Sequence, residues 1–260
     1  MPTSICYADI ESTAIPASGV LGVEQIHCIA VKSGSDSTLC FTSRFLPLSN
    51  YGGTLRNALD LINQHEFVVG HNWIGFDGIV IEHLLGHLTA KPIDTMLLAK
   101  LIYTKDELCE IDYHIPDFPS KSYGSFSLDS FGRRMYLHKG SHSDWSRLSV
   151  AMCDYCNQDV EVTYALFQSL LTSSRFPSQS IIDLENEVAH IIAQQVHYGF
   201  HYDIESARKL MSSLMYEQLS IELRLQKLFR PMFLPDSKPV VPSTSRKVKI
   251  YLPDENYLGF

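Results

Sequence analysis

The chain opens with three apolar runs of extended character, residues 4–11 (SICYADIE), 24–33 (EQIHCIAVKS) and 38–46 (TLCFTSRFL), separated by short Gly/Ser-containing breaks. Three such runs joined by turns predict a β-meander. The apolar period then lengthens. Over 54–64 (TLRNALDLINQ), Leu55, Ala58, Leu59 and Ile62 share one helical face, with Thr54 placed as N-cap. A short buried strand is expected at 66–70 (EFVVG), followed by a helix over about 76–88 and another over 94–103 (DTMLLAKLIY). Residues 104–126, rich in Asp, Pro, Ser and Gly, read as a long loop. Helices are expected near 127–135 and 147–171. Up to about residue 172 the elements describe an α/β layer architecture.

Beyond Pro177 the pattern changes to two helical stretches, 180–198 and 204–229, with Gly199 as a helix stop between them. After Phe229 the chain turns Pro- and Lys-rich, without clear periodicity or a core of its own. That tail looks like the opening of a further region. No internal repeat stands out.

Composition narrows the class. A 45% hydrophobic, 19% charged chain of 260 residues suits a globular protein of one large domain, or one domain with an appendage. The first ten residues lack the basic start and apolar run of a signal peptide, and no apolar stretch approaches the length of a membrane span. A soluble protein is expected. The six cysteines lack the spacing of a disulfide framework, and Cys6, Cys28 and Cys40 sit in apolar runs as small buried hydrophobes do. These features suit a reducing, cytoplasmic compartment. A net charge of −8 argues against a broad basic nucleic-acid surface, and so against a sequence-specific DNA binder. It is compatible with an enzyme that gathers carboxylates around divalent metals.

Three groups of acids carry the chemistry. Asp9 and Glu11 lie two apart on the first strand, so their side chains share a face. By itself this also fits two solvated acids closing a strand. Asp77, in HNWIGFD (71–77), sits where a strand hands over to a helix, at the strand end where α/β sheets often place sites. A plain N-cap is the alternative role, and Asn72 and Phe76 add a polar group and an aromatic face nearby. Tyr155 and Asp159 lie four apart on a helix and project side by side; Tyr155 could equally be a packed aromatic.

Taken together, D-x-E at 9–11, N-x-x-x-F-D at 72–77 and Y-x-x-x-D at 155–159 resemble the three exonuclease motifs of the DEDD superfamily. Tyr155 marks the tyrosine branch; Asp154, where the histidine branch would differ, does not fit that branch. The chain resembles the 3′→5′ proofreading exonuclease domain of phage-type family A (DNA polymerase I-like) polymerases. Segments 93–103, 123–135 and 184–203 extend the likeness over nearly the whole chain. The resemblance implies a ribonuclease H-like mixed sheet flanked by helices, with a C-terminal helical extension. It implies an exonuclease domain over 1–176 and an extension over 177–260 that resembles the start of a polymerase region, whose own motifs are absent.

The same resemblance implies two Mg²⁺ or Mn²⁺ ions held by Asp9, Glu11, Asp77 and Asp159, with Asp9 bridging, Glu11 and Asp159 completing one shell and Asp77 serving the other. Tyr155 would orient the attacking water, since a phenol of pKa near 10 is a poor base. Asn72 and Phe76 would hold the terminal nucleotide, with Trp73 a weaker candidate better suited to the core. The expected substrate is the 3′ end of single-stranded DNA. A separate polymerase chain is a possible partner, and the host cytoplasm the compartment if the chain is phage-encoded. A ribonuclease D-type exoribonuclease and a silent scaffold for a polymerase chain are the rival readings.

Other features count for less. Cys153 and Cys156 form C-x-x-C without a second such pair, and lie on the helix of Asp159. His65, His71, His83 and His87 lack an H-E-x-x-H arrangement and read as surface histidines. Lys238, Arg246, Lys247 and Lys249 form a basic patch that could touch duplex phosphates or merely solubilise the tail.

Overall fold

The computed structural model describes residues 4–16, 19–199 and 201–229. Two compact units divide the chain, residues 1–199 and 200–260. The basic patch of the tail lies outside the described residues.

The first unit is built on a six-stranded sheet. The predicted meander is present as β1 (Ile5–Ser12), β2 (Ile26–Ser33) and β3 (Leu39–Thr42), paired antiparallel in turn. Three further strands are β4 (Tyr51–Thr54), β5 (Phe67–Gly70) and β6 (Lys91–Asp94), and the sheet order is β4-β3-β2-β1-β5-β6. Both β5 against β1 and β6 against β5 run parallel. An antiparallel meander extended from its first strand by parallel, helix-linked strands is the ribonuclease H-like arrangement.

Period-2 alternation on β1 divides the core. Cys6, Ala8 and Ile10 face one side, where they meet Ile29, Val31 and Val68 and pack against α1 (Leu55–Ile62) and α2 (Asp77–Leu84). Tyr7 faces the other side, with Cys28, Ala30, Cys40 and Val69. That side packs against α3 (Thr95–Ile102), α5 (Leu128–Arg134) and α6 (Val150–Leu171). Asp9 and Glu11 follow Tyr7 on that second face, so the acids point toward α6.

Helix starts follow the capping chemistry of the chain. Thr54 and Asn57 form a capping box for α1, while Ser127 and Ser149 accept from the third residue of α5 and α6. Residues 104–126, expected to be loop, contain α4 (Lys105–Tyr113). Thr104 and Glu107 close a capping box there, a T-x-x-E signature that the surrounding Pro and Gly obscured in sequence. Two strands also escaped the pattern. β4 (YGGT) has no apolar alternation, and Gly52 is there because a Cβ would fall 2.5 Å from the Phe41 ring. β6 (KPID) tolerates Pro92 because it is an edge strand.

α7 (Gln179–Tyr198) belongs to the first unit, where Asn186 Nδ2 donates to Pro92 O on β6 at 3.1 Å. It ends at Gly199, whose φ of +67° requires glycine. In the second unit, α8 (Ile204–Leu228) starts at Asp203, which accepts from Ser206 N.

Candidate active site

Three elements bring the acids to one cavity of about 170 Å³, lined by Asp9 and Glu11 from β1, Asp77 from the start of α2 and Asp159 from α6. Tyr155, Asn72 and Phe76 line the same cavity, so every residue singled out in the motifs borders it. His71, Lys139 and Trp145 join them.

Asp9 and Glu11 present carboxylate oxygens within 4.8 Å of each other and of Cys156 Sγ. The shared face of β1 makes this pairing unavoidable. Asp77 does not cap its helix: Phe76 occupies the cap position without a side-chain bond, and Asp77 Oδ1 instead accepts from Ile10 N at 3.2 Å. That bond ties the start of α2 to β1 between the two other acids. Asp159 is 2% exposed, and its Oδ1 is buried without a hydrogen-bond partner. Tyr155 packs edge-on to Trp145, ring centres 5.7 Å apart.

The loop before α2 is held from below. Asp94, the N-cap of α3, accepts from Asn72 N at 3.0 Å and Ile74 N at 3.2 Å as well as from Met96 N at 2.9 Å. Asn72 itself has φ +61°, a left-handed conformation that asparagine tolerates better than most residues. Phe76 is partly buried against the α1–α2 side of the core while its side chain borders the cavity; Trp73 is a core residue at 2% exposure.

Burial and mutual repulsion set the acidities. Desolvation first, then the charges of Asp77, Asp159 and Glu11, push Asp9 well up from its ordinary value. Desolvation, followed by Asp159, lifts Glu11 to about 8. Asp77 rises to about 8, mainly by burial, against the lowering effect of the Ile10 N–H. Burial raises Asp159 to about 6, with Lys139 pulling the other way. Burial alone would lower the Lys139 ammonium, but Asp159 and Tyr155 outweigh it and hold the charge. Burial also raises Tyr155 above its usual range, so the phenol stays protonated and can donate.

Four clustered acids, one orphaned carboxylate oxygen and a single lysine leave the cavity short of positive charge. Hard oxygen donors at this spacing suit a divalent cation such as Mg²⁺ or Mn²⁺. Residues Asp9, Glu11, Asp77 and Asp159 fit such a group.

Three cavity residues were not read from sequence as part of the site. His71, expected at the surface, is half-buried: its Nδ1 meets Thr95 Oγ1 and its Nε2 meets Phe126 O, both at 2.9 Å. Burial lowers its pKa to about 4, so the ring is neutral. Lys139 and Trp145 sit in the α5–α6 connection, whose polar sequence has no periodicity to place them.

The cysteines cluster behind the acids. Sγ atoms of Cys28 on β2, Cys40 on β3 and Cys153 on α6 lie within 4.8 Å of one another, all buried. Cys156 Sγ lies 3.4 Å from Asp9 O and 3.8 Å from Asp9 Oδ2, contacts in which the thiol donates. The neighbouring Cys28 and Cys40 thiols pull the pKa of Cys153 down to about 4, while Cys28 and Cys40 are themselves pushed up, so at most one thiol of the trio carries charge.

A larger cavity, about 480 Å³, lies between α3, α7 and the turn Val20–Gly22 and shares Asn72 with the acid site. Its one acid is Asp94, already committed to backbone N–H groups. Lys100, His197 and Tyr198 also line it, but the clustered acids sit in the smaller cavity.

No family model matches the chain. In sequence it is similar to the DNA-directed DNA polymerase of Escherichia phage T7, 26% identical over 274 residues covering 88% of this chain. It is likewise similar to that of Enterobacteria phage T3, 26% identical over 181 residues covering 55% of this chain. The chain spans 38% and 25% of those two polymerases. Among solved structures, Brucella melitensis NrnC matches 77% of this chain and 89% of its own at 17% identity and a TM-score of 0.47. Escherichia coli RNase D matches 73% of this chain and 45% of its own at 19% identity and a TM-score of 0.45. The two polymerases bear out the phage-type resemblance carried by the motifs.

Proposed function

We propose that the chain is a metal-dependent 3′→5′ exonuclease that removes nucleoside 5′-monophosphates from the 3′ end of single-stranded DNA. The observation that carries the reading is the meeting of Asp9, Glu11, Asp77 and Asp159, from three separate motifs, around one small cavity beside Tyr155. Similarity to two phage DNA polymerases supports DNA as the substrate and a polymerase as the activity it serves, in the same or a separate chain. A host cell's cytoplasm would be the compartment; no helix among the described residues is long and apolar enough to cross a membrane. The catalytic domain would occupy residues 1–176 and the extension 177–260.

In this reading Asp9, Glu11, Asp77 and Asp159 hold two Mg²⁺ or Mn²⁺ ions. When bound, such ions supply the Lewis acidity that makes water nucleophilic at neutral pH and the charge that stabilises a departing oxygen. Tyr155, kept protonated, orients the attacking water by hydrogen bonding. Water adds to phosphorus, the bond from phosphorus to the 3′ oxygen breaks, and a shortened strand leaves with a free 3′-hydroxyl. Phe76 offers a ring for the terminal base, a contact worth about 1–3 kcal/mol per stacked base. Asn72 supplies a polar contact beside it. Acids gathered around one small cavity would take a frayed single-stranded end, which would give a preference for mispaired termini.

The test is release of mononucleotides from a 3′-labelled single strand, with Mg²⁺ or Mn²⁺, by the wild type and Asp9→Ala. Metal-dependent release from DNA that falls at least about a hundredfold in the variant is expected. Faster release from RNA of the same sequence would move the substrate to RNA, and no release from either would remove the enzyme reading.

A further inference from the structure

Among the described residues, Lys139 is the one Lys or Arg lining the acid cavity. Its ammonium stands 2.5 Å from Asp159 Oδ2 and 4.7 Å from the centre of the Tyr155 ring. The other acids on the cavity are Asp9, Glu11 and Asp77, with His71 as a further ionisable neighbour. Four acids and one cation share this space, and the cation is not part of any of the three motifs.

The backbone that carries Lys139 is pinned. Leu137 N donates to Gly132 O at 2.8 Å, and His138 O accepts from Gln158 Nε2 at 3.1 Å. Further along, Trp145 O meets His27 Nε2 at 3.1 Å. The side chain is different in kind: a flexible four-carbon stem, here 20% exposed, ending in a compact charge. It can swing out of the cavity while the loop stays in place.

We infer that Lys139 is a resident counter-ion. Its ammonium holds Asp159 and Tyr155 and offsets the acids while no divalent cation is bound, and it yields Asp159 Oδ2 to the cation when one binds. This rests on the metal-dependent reading above. A divalent cation brings twice the charge to hard oxygen donors, so the exchange is favourable. The lost ammonium contact is nevertheless subtracted from the cation's affinity, because coupling between two ligands of one site is reciprocal. Removing the ammonium therefore has two effects of opposite sign: the cation-free protein loses stability and cation binding tightens. A lysine that merely packs the loop produces no such split.

The experiment is Mn²⁺ titration of the full chain without substrate, followed by electron paramagnetic resonance, for wild type, Lys139→Met and Lys139→Gln. Thermal midpoints are measured beside it in EDTA and in saturating Mn²⁺. An opposite charge at this range shifts an ionic equilibrium by about tenfold or more, so Mn²⁺ should bind about tenfold tighter in both variants. Their midpoints should drop in EDTA and recover in Mn²⁺. Unchanged or weaker Mn²⁺ affinity, or midpoints lowered equally in both buffers, would overturn the role of Lys139 and leave the metal-dependent reading intact. No Mn²⁺ bound by any of the three proteins would overturn both.

Discussion

Asp94 accepts four backbone N–H groups, and two of them, from Asn72 and Ile74, belong to the loop that delivers Asp77. Its carboxylate does the work of a cap and a clamp at once, at 2% exposure. Asp94→Ala removes an N-cap worth about 1 kcal/mol. It also leaves buried N–H groups unpaired at about 1–3 kcal/mol each. A loss of about 2–4 kcal/mol in urea unfolding is expected, together with lower turnover in the proposed exonuclease reaction because Asp77 and Asn72 are no longer held in place. Stability lost with turnover unchanged would confine Asp94 to capping α3. Nothing in the local sequence distinguished this aspartate from an ordinary helix cap; its second role appears only when the 70–77 loop folds over it.

Helices on the acid side of the sheet are fastened by a buried ion pair. Arg134, at the end of α5, donates through Nε to Asp112 Oδ1 at 2.7 Å and through Nη2 to Asp112 Oδ2 at 2.8 Å, and Gly124 N adds a bond to the same carboxylate at 2.8 Å. Asp112 is on α4, in the segment whose composition reads as loop. The Arg134 guanidinium also lies 4.7 Å from the centre of the Phe131 ring. Arg134→Met leaves the Asp112 carboxylate buried without its cation, and breaking a pair in this way costs about 3–5 kcal/mol. The double change Arg134→Met with Asp112→Leu should recover most of that loss, since apolar replacements of a buried pair are often neutral. Chemical denaturation of the single and double variants measures both; a double variant no better than the single one would show that the Gly124 bond, rather than the pair, anchors α4. α6 is the other element that organises the site. Its 22 residues bring Tyr155 and Asp159 to the cavity on one stripe while Cys153 and Cys156 pack against β1 and β2 behind it.

Across the whole molecule the acid cluster couples stability to pH and to cations. Asp159, Glu11 and Asp77 have folded-state pKa values of about 6, 8 and 8, above their unfolded values of 3.8–4.5. Between these limits the folded state binds more protons than the unfolded chain, so stability falls as pH rises. The sign is opposite to that of a carboxylate held ionised by an arginine. In EDTA, the thermal midpoint should decline from about pH 5 to about pH 8 as the cluster gives up its protons. A divalent cation bound at the proposed site would compete with those protons, so the midpoint gained on adding Mg²⁺ or Mn²⁺ should grow over the same window. Differential scanning calorimetry at pH 5, 6.5 and 8, with and without cation, reads this directly. A midpoint that rises from pH 6 to 8 in EDTA would mean that the acids are ionised and held by partners in the folded protein.

Much of the plan was legible in the chain itself. The meander, the strand at 66–70 and the helices near 54–64, 94–103, 127–135, 147–171, 180–198 and 204–229 follow from short-range properties: apolar period, capping residues and glycine stops. That Asp9 and Glu11 share a face, and Tyr155 and Asp159 likewise, was legible for a similar reason, in spacings of two on a strand and four on a helix. Grouping them with Asp77 as one candidate site rested on the resemblance of the joint pattern to the exonuclease motifs. β4, α4 and β6 were not, being short segments whose stability comes from neighbours: a glycine under Phe41, a buried arginine on Asp112, an edge position for Pro92. Nor were Lys139, Trp145 and Asp94, which reach or support the cavity from loops and strand ends far from the motifs in sequence, nor His71, which neighbours Asn72 but read as a surface histidine. Periodicity is a property of one segment and can be read from it. Burial, shifted acidity and the meeting of charges are properties of several segments packed together, and those only the tertiary structure decided.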